Sequence, residues 1–146
     1  MLGEPVKFDT VFIDAPCSGT GTMRRHPEIP WRLTEKDVTV ELPKLQLTML
    51  KEAAARVATG GELIYATCSV FDEENTQVVD AFLNSPEGTG FSLEPLSEAQ
   101  ILQLPDFEQA KKLVAVRQND RGLFQSVPVN ADSYDGHFCA RLVRNS

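Results

Sequence analysis

The chain is 146 residues long, 42% of them hydrophobic, with nine prolines against nine glycines, the make-up of one ordinary domain able to bury roughly two-thirds of its unfolded surface. No apolar run approaches the ~20 residues needed to span a bilayer, and Met1–Pro5 has neither region of a signal peptide, so a cytoplasmic protein with no membrane partner is expected. A formal charge of −7 argues against a self-sufficient nucleic-acid binder, because phosphate contacts need Lys and Arg.

Phe8–Ile13 is a β-branched and aromatic run that reads as a buried strand, ended by Asp14-Ala-Pro-Cys-Ser-Gly-Thr-Gly21, whose proline and glycines cannot continue it. The irregular loop runs on through His26-Pro27 and Ile29-Pro30 to about Leu33, and such length without periodicity favours a functional loop over a plain connector. A helix is expected to begin between Thr34 and Glu41, with Leu42, Leu45, Met49, Ala53 and Val57 on one face and Gly60-Gly61 as its end. Glu62–Ala66 reads as a second strand running into Thr67-Cys68-Ser69, after which Asp72 is placed to cap a helix carrying Val78, Val79, Phe82 and Leu83. Beyond a weak linker, Ser85–Gly90, Phe91–Leu96 reads as a further strand. Ser97–Asn119 is ambiguous, since Ile101, Leu104, Phe107 and Leu113 permit a helix that Pro105 would interrupt. Leu123–Val127 and His137–Val143 are expected to form a closing antiparallel pair around Asp135-Gly136.

The order strand, helix, strand, helix implies parallel pairing through right-handed crossovers. In an open parallel sheet, ligands sit beyond the carboxyl ends of the strands, so the loops that carry Cys17 and Cys68 should converge on one cleft. The three cysteines, 17, 68 and 139, are widely spaced, with no Cys-x-x-Cys pair and only His26 and His137 as further soft ligands. Neither a metal site nor a disulfide framework is expected from that pattern. A lone cysteine is most often a buried small hydrophobe, but two at the ends of strands joined through one helix point to reactive thiols. His137 and Cys139 share one side of an alternating strand opposite Phe138, Ala140 and Leu142, and are read as packing.

Four stretches, in this order, resemble the RNA 5-methylcytosine methyltransferases of the Sun/Fmu type: Asp14-Ala-Pro-Cys17-Ser-Gly-Thr-Gly, Arg24-Arg-His-Pro27, Gly60-Gly-Glu-Leu-Ile-Tyr-Ala-Thr-Cys68-Ser69 and Glu73-Glu-Asn75. The bacterial members that act on small-subunit ribosomal RNA are the most similar. Asp135-Gly-His-Phe-Cys-Ala-Arg-Leu-Val143 resembles that family's last strand, where a second aromatic is usual at the place of His137. The likeness is strong over 8–84, moderate over 134–144 and weak between. It implies the C-terminal half of a Rossmann-like, S-adenosylmethionine-dependent methyltransferase fold: one partial domain over 1–146, with parallel strands and the closing antiparallel pair.

The resemblance also implies roles. Carbon 5 of cytosine is a poor nucleophile until a thiolate adds at carbon 6, and in the family the Thr-Cys-Ser cysteine, here Cys68, makes that bond. The Pro-Cys cysteine, here Cys17, assists loss of the carbon-5 proton and release of RNA. Asp14 takes the place of the acid that bonds the cytosine edge, and Asp14 with Pro16 lies beside the sulfonium end of S-adenosylmethionine.

Residues 1–34 hold four basic and four acidic side chains, and Arg24, Arg25 and Arg32 fall within nine residues. Arg24, Arg25 and His26 are candidates for RNA phosphate contacts, beside the plainer reading of solvated loop charges. Trp31 is expected to anchor this loop to the core rather than to stack on a base, and Gly19-Thr-Gly21 is read as a spacer. The family's main cofactor segments lie upstream of the strand that opens this chain. The expected partners are therefore RNA, ribosomal by the resemblance, and a missing N-terminal half or upstream chain, and the chain alone is expected to be inactive. The 8–13 strand would then form an open edge that invites self-association. A noncatalytic RNA-associated or assembly module that keeps the fold is the competing reading. A thiol redox enzyme or hydrolase is a poor one, because no histidine is placed to pair with either cysteine.

Overall fold

The computed structural model describes residues 5–130 and 134–146; the reading of Met1–Glu4 as lacking a signal lies outside them. Its centre is a mixed sheet in the order β1-β2-β5-β3, built from β1 (Phe8–Asp14), β2 (Val57–Thr67), β3 (Phe91–Leu93) and β5 (His137–Arg144), with β4 (Phe124–Ser126) also pairing β5. β1 and β2 run parallel, as the helix between them requires, and β5 is antiparallel to β2, β3 and β4. The expected closing pair is β4 with β5. Along β5, Phe138, Ala140 and Leu142 are buried and make the core face with Leu63 and Tyr65 of β2.

The helices are α1 (Ile29–Arg32), α2 (Leu42–Ala54), α3 (Thr76–Leu83), α4 (Glu98–Ile101) and α5 (Phe107–Arg117). Pro105 separates α4 from α5, as its missing N–H and fixed ring dictate. Val78, Val79 and Phe82 of α3 are buried, and Phe82 meets Phe91 edge to face with ring centroids 5.5 Å apart. The 85–90 linker is an ordered turn in which the Ser85 hydroxyl accepts the Gly88 N–H at 3.3 Å.

Three local expectations are corrected. α2 ends at Ala54, not at Gly60-Gly61, and Val57 already belongs to β2. Between the Phe8↔Val57 and Thr10↔Glu62 pairs, two steps along β1 correspond to five along β2, so the glycines sit in a bulge. Gly60 there has φ +79°, and a Cβ on Gly61 would lie 2.8 Å from the Asp9 carbonyl oxygen. Arg144 closes the helix end instead, donating to the carbonyls of Ala54 and Val57 at 3.1 and 3.0 Å.

The buried stripe of α2 is also one residue round from the expected one. Gln46, Leu50 and Ala54 are buried, whereas of the expected stripe Leu45 is 47% exposed and Met49 and Ala53 pack against the core only partly buried, lining a groove with Val11, Phe12 and Ile13 of β1. Both stripes obey the helical period; packing on the sheet selects the one that carries Gln46. Finally, Asp72 does not cap α3. A 3₁₀ turn, Asp72–Glu74, intervenes, and Asp72 accepts from Gln77 Nε2 at 3.3 Å.

Among the described residues, no helix is long and apolar enough to cross a membrane.

The choice of helical face is directly measurable. Leu50→Ala should cost about 2–5 kcal/mol in urea unfolding, the usual range for a large-to-small change in a core. Leu45→Ala should cost no more than about 0.5 kcal/mol, as expected at a surface position. Equal losses would return the buried face to the Leu45 side.

Candidate active site

Parallel pairing carries β1 and β2 to the same end of the sheet, with Asp14 opposite Ala66 in register. Three residues past Asp14 lies Cys17, and one residue past Thr67 lies Cys68; their sulfurs are 3.1 Å apart. Both thiols are half-buried and free. The Cys68 main-chain N–H also points at Cys17 Sγ, at 3.4 Å. A cleft of about 590 Å³ opens beside Cys17, bounded by Ser18, Ile29, Arg32, Leu33 and Leu45. The sequence places these two thiols at one site, and the structure brings them into contact.

At that separation the pair shares protons rather than titrating as two ordinary thiols. The Cys17 S–H donates to Cys68, which stabilises a Cys68 thiolate and holds that group down at about 7, against the upward pull of burial and of the Asp14 and Glu74 charges. The same hydrogen bond, with burial, drives Cys17 far up, so Cys17 keeps the proton. Cys139 on β5 is pushed up by burial alone, in keeping with its reading as packing. His137 is exposed.

Six other positions are placed as follows. Asp14 is an exposed carboxylate at the end of β1, and Pro16 is exposed with its carbonyl accepting from Gln46 Nε2 at 2.9 Å. Arg25 Nε donates to Asp135 at 2.8 Å, Arg24 lies 3.7 Å from the same carboxylate, and His26 Nδ1 is 3.5 Å from Glu28. These bonds hold the Asp135 carboxyl below the usual carboxylate range, Arg25 being the main cause. Trp31 is corrected: it is 89% exposed, and Ile29, two residues earlier, is the buried anchor of the loop.

Gly21 is more than a spacer. Its N–H donates to the Cys68 carbonyl at 2.8 Å, its own carbonyl accepts from Gly136 N at 2.8 Å, and a Cβ there would fall 2.2 Å from the Gly136 carbonyl oxygen. Three loops cross at one glycine.

Glu74, Gln46, Ser69 and Asp135 belong to the site and were given no role from sequence. Glu74 is fully buried, and its carboxylate accepts from the Ser18 N–H, Gln46 Nε2 and Ser69 Oγ. The only prior signal was its place in the Glu73-Glu74-Asn75 stretch, which reads equally well as a solvated helix start. Gln46 had none, because a polar residue beside an apolar stripe looks like surface.

Comparison with known proteins places the chain in a family. Residues 1–143 match the profile of the family described as 16S rRNA methyltransferase RsmB/F. Ribosomal RNA small subunit methyltransferase B of Pectobacterium atrosepticum is 36% identical over 138 residues, 94% of this chain and 27% of the relative. The protein of that name from Citrobacter koseri is 42% identical over 104 residues, 70% of this chain and 24% of the relative. Among solved structures, PH0851 superposes with a TM-score of 0.69 at 36% identity, covering 92% of this chain and 26% of that one. NSun6 from Pyrococcus horikoshii with SFG does so at 0.69 and 23% identity, covering 97% and 31%, a likeness of fold. The chain thus spans about a quarter of the length of these relatives.

The shared proton makes a pH prediction. Thiolate is the reacting form, so alkylation of Cys68 by iodoacetamide, read by peptide mass mapping, should rise with pH and reach half its plateau near 7. Cys17→Ala removes the donor and should move that midpoint upward, toward the ordinary thiol value of about 8.5. A wild-type midpoint already near the ordinary value would contradict the shared-proton description.

Proposed function

The chain belongs to the RsmB/F family of 16S rRNA methyltransferases, and from that membership we propose that it is the segment of a ribosomal RNA cytosine-5 methyltransferase that carries the nucleophile and the proton-handling thiol. The observation that carries this reading is the pair of sulfurs 3.1 Å apart, beyond the carboxyl ends of two adjacent parallel strands. Carbons 5 and 6 of a cytosine are bonded neighbours, so the group that attacks one and the group that deprotonates the other must themselves be neighbours.

In this mechanism Cys68 adds as thiolate to carbon 6, forming a C–S bond and leaving an enamine that is nucleophilic at carbon 5. Asp14 hydrogen-bonds the cytosine edge and relays a proton to ring nitrogen 3, which neutralises the charge that thiolate addition puts on the ring and gives the enamine. S-adenosylmethionine supplies an electrophilic methyl group when bound. Asp14 and Pro16, exposed at the end of β1, are the residues of this chain that fit its sulfonium end, since a carboxylate complements that charge. Once the Cys68 sulfur is bonded to carbon it carries no charge, and the chief cause of the high proton affinity of Cys17 disappears. Cys17 can then give its proton to solvent and, as thiolate, accept the carbon-5 proton. Breakage of the C–S bond returns Cys68 to its thiolate form. Arg24, Arg25 and His26 stand on the loop next to this site, where Arg25 meets phosphate only by releasing or sharing Asp135.

The reading predicts opposite behaviour for the two thiols when the chain is joined to an upstream cofactor-binding segment. RNA containing 5-fluorocytosine, which has no carbon-5 proton to lose, should trap a covalent complex, and Cys68→Ala should abolish it. On ordinary RNA, Cys17→Ala should accumulate the adduct, because attack proceeds while release does not. Identical outcomes for the two variants on gel shift would refute this division of roles, and no trapping at all would favour a noncatalytic module.

Among the described residues no strand lies beside the edge of β1 away from β2, and Phe8 and Phe12 of this strand are exposed, the latter 62%. We propose that the isolated chain self-associates through this edge, because unpaired N–H and C=O groups flanked by apolar side chains recruit another strand. Sedimentation at tens of micromolar should show dimers or larger species, and a monodisperse monomer would exclude it.

A further inference from the structure

Cys17 and Cys68 are each followed by a serine, and both serines end on one carboxylate. Ser18 donates its main-chain N–H to Glu74 Oε1 at 2.8 Å, and Ser69 donates its hydroxyl to Oε2 at 2.5 Å. Gln46 of α2 donates to the same Oε1 at 3.0 Å and to the Pro16 carbonyl at 2.9 Å, which fastens the intervening helix to the loop that holds Cys17. From β2, the Tyr65 hydroxyl fixes the Glu74 carbonyl at 2.7 Å. Tyr65 is kept protonated for this by burial, which raises its pKa. Asn75, the next residue, brackets Cys68: its Oδ1 accepts from Thr67 Oγ1 at 2.6 Å and its Nδ2 donates to the Ser69 carbonyl at 2.9 Å.

Glu74 has 0% of its surface exposed, so it is sealed from RNA and from solvent. A buried carboxylate is tolerated only when its oxygens are hydrogen-bonded, and here two of the three donors belong to residues adjoining the reactive thiols. A group that cannot touch substrate, yet binds both loops that present the sulfurs, acts through those loops.

We propose that Glu74 is the positioning residue of the thiol pair: its carboxylate ties the Cys17 loop to the Cys68 loop and thereby sets the 3.1 Å approach of the two sulfurs. This deepens the functional reading above and rests on it only in taking Cys68 as the nucleophile. The ionisable groups that bear on Cys68 are Cys17, Asp14 and Glu74; the first pulls its pKa down and the other two push it up. That opposition makes the sign of one experiment decisive. Glu74→Gln removes a repelling charge, which by itself lowers the Cys68 midpoint. It also unfastens the loops, which withdraws the Cys17 hydrogen bond, the largest stabiliser of the thiolate, and raises it.

The test is the pH midpoint of Cys68 alkylation on the whole chain, with thermal unfolding run in parallel. Glu74→Gln should move the midpoint up by about one unit, part of the way to an ordinary thiol. Ser69→Ala keeps the Glu74 charge and removes its bond to the Cys68 loop, together with the Ser69 hydroxyl's bonds to Ser18, Thr20 and the Phe71 N–H; it should move the midpoint the same way by less, and it decides the matter if Glu74→Gln does not fold. Leu142→Ala, a core truncation outside the network, should lower thermal stability and leave the midpoint in place. A midpoint that falls or stays put in Glu74→Gln, one that stays put in Ser69→Ala, or one that rises equally in Leu142→Ala would overturn the proposal. No RNA or cofactor enters these measurements, so their failure leaves the 5-fluorocytosine result untouched, and a failure of trapping leaves them standing.

Discussion

The continuous register of β1 on β2, from Thr10 opposite Glu62 to Asp14 opposite Ala66, is the constraint from which the site follows. Parallel strands finish at the same edge of a sheet, and here they finish level, so the loops leaving them start side by side. An antiparallel pairing of the same residues would put Cys17 and Cys68 at opposite ends. The bulge at Gly60-Gly61 matters for the same reason, because it absorbs the extra β2 residues before the ladder becomes regular. With a Cβ forbidden at Gly61 by the Asp9 carbonyl, the register cannot slide without undoing that contact.

Once the loops are adjacent, a buried polar network determines how closely they approach. A carboxylate without solvent is destabilising unless donors surround it, and the chain supplies a main-chain N–H, an amide and a hydroxyl for Glu74. The requirement propagates into α2. Gln46 occupies a fully buried position, and its own Oε1 is buried with no hydrogen-bond partner among the described residues, which costs stability. Stability is therefore given up to hold the thiol loops, a pattern expected where geometry serves chemistry rather than packing.

The electrostatics of the surface are equally local. The chain is acidic as a whole, and the cluster at Arg24 and Arg25 faces Asp135. That contact joins the loop after β1 to the approach to β5, next to the Gly136–Gly21–Cys68 chain of main-chain bonds. The arginines thus have a structural use within the chain, and any contact with phosphate competes with it. Trp31, by contrast, makes no burial within this chain and stands beside Arg32, whose side chain borders the cleft at Cys17.

The sequence alone determined the order of elements, the two cysteine loops and the alternation of β5, because each depends on residues close in the chain: breakers after a short apolar run, or period-two burial at Phe138, Ala140 and Leu142. Proline at 105 split a helix for the same local reason. The boundary of α2, its buried face, the exposure of Trp31 and the burial of Glu74 were decided by tertiary structure. Leu45 and Gln46 are neighbours on one helix with opposite fates, and only the sheet beneath them and the carboxylate beside them say which turns inward. Glu74 has the composition of a solvated turn, yet donors 28 and 56 residues away in the chain make its burial tolerable. Periodicity records what a segment can bury; which partners arrive to satisfy a polar group is known only when the chain has closed on itself.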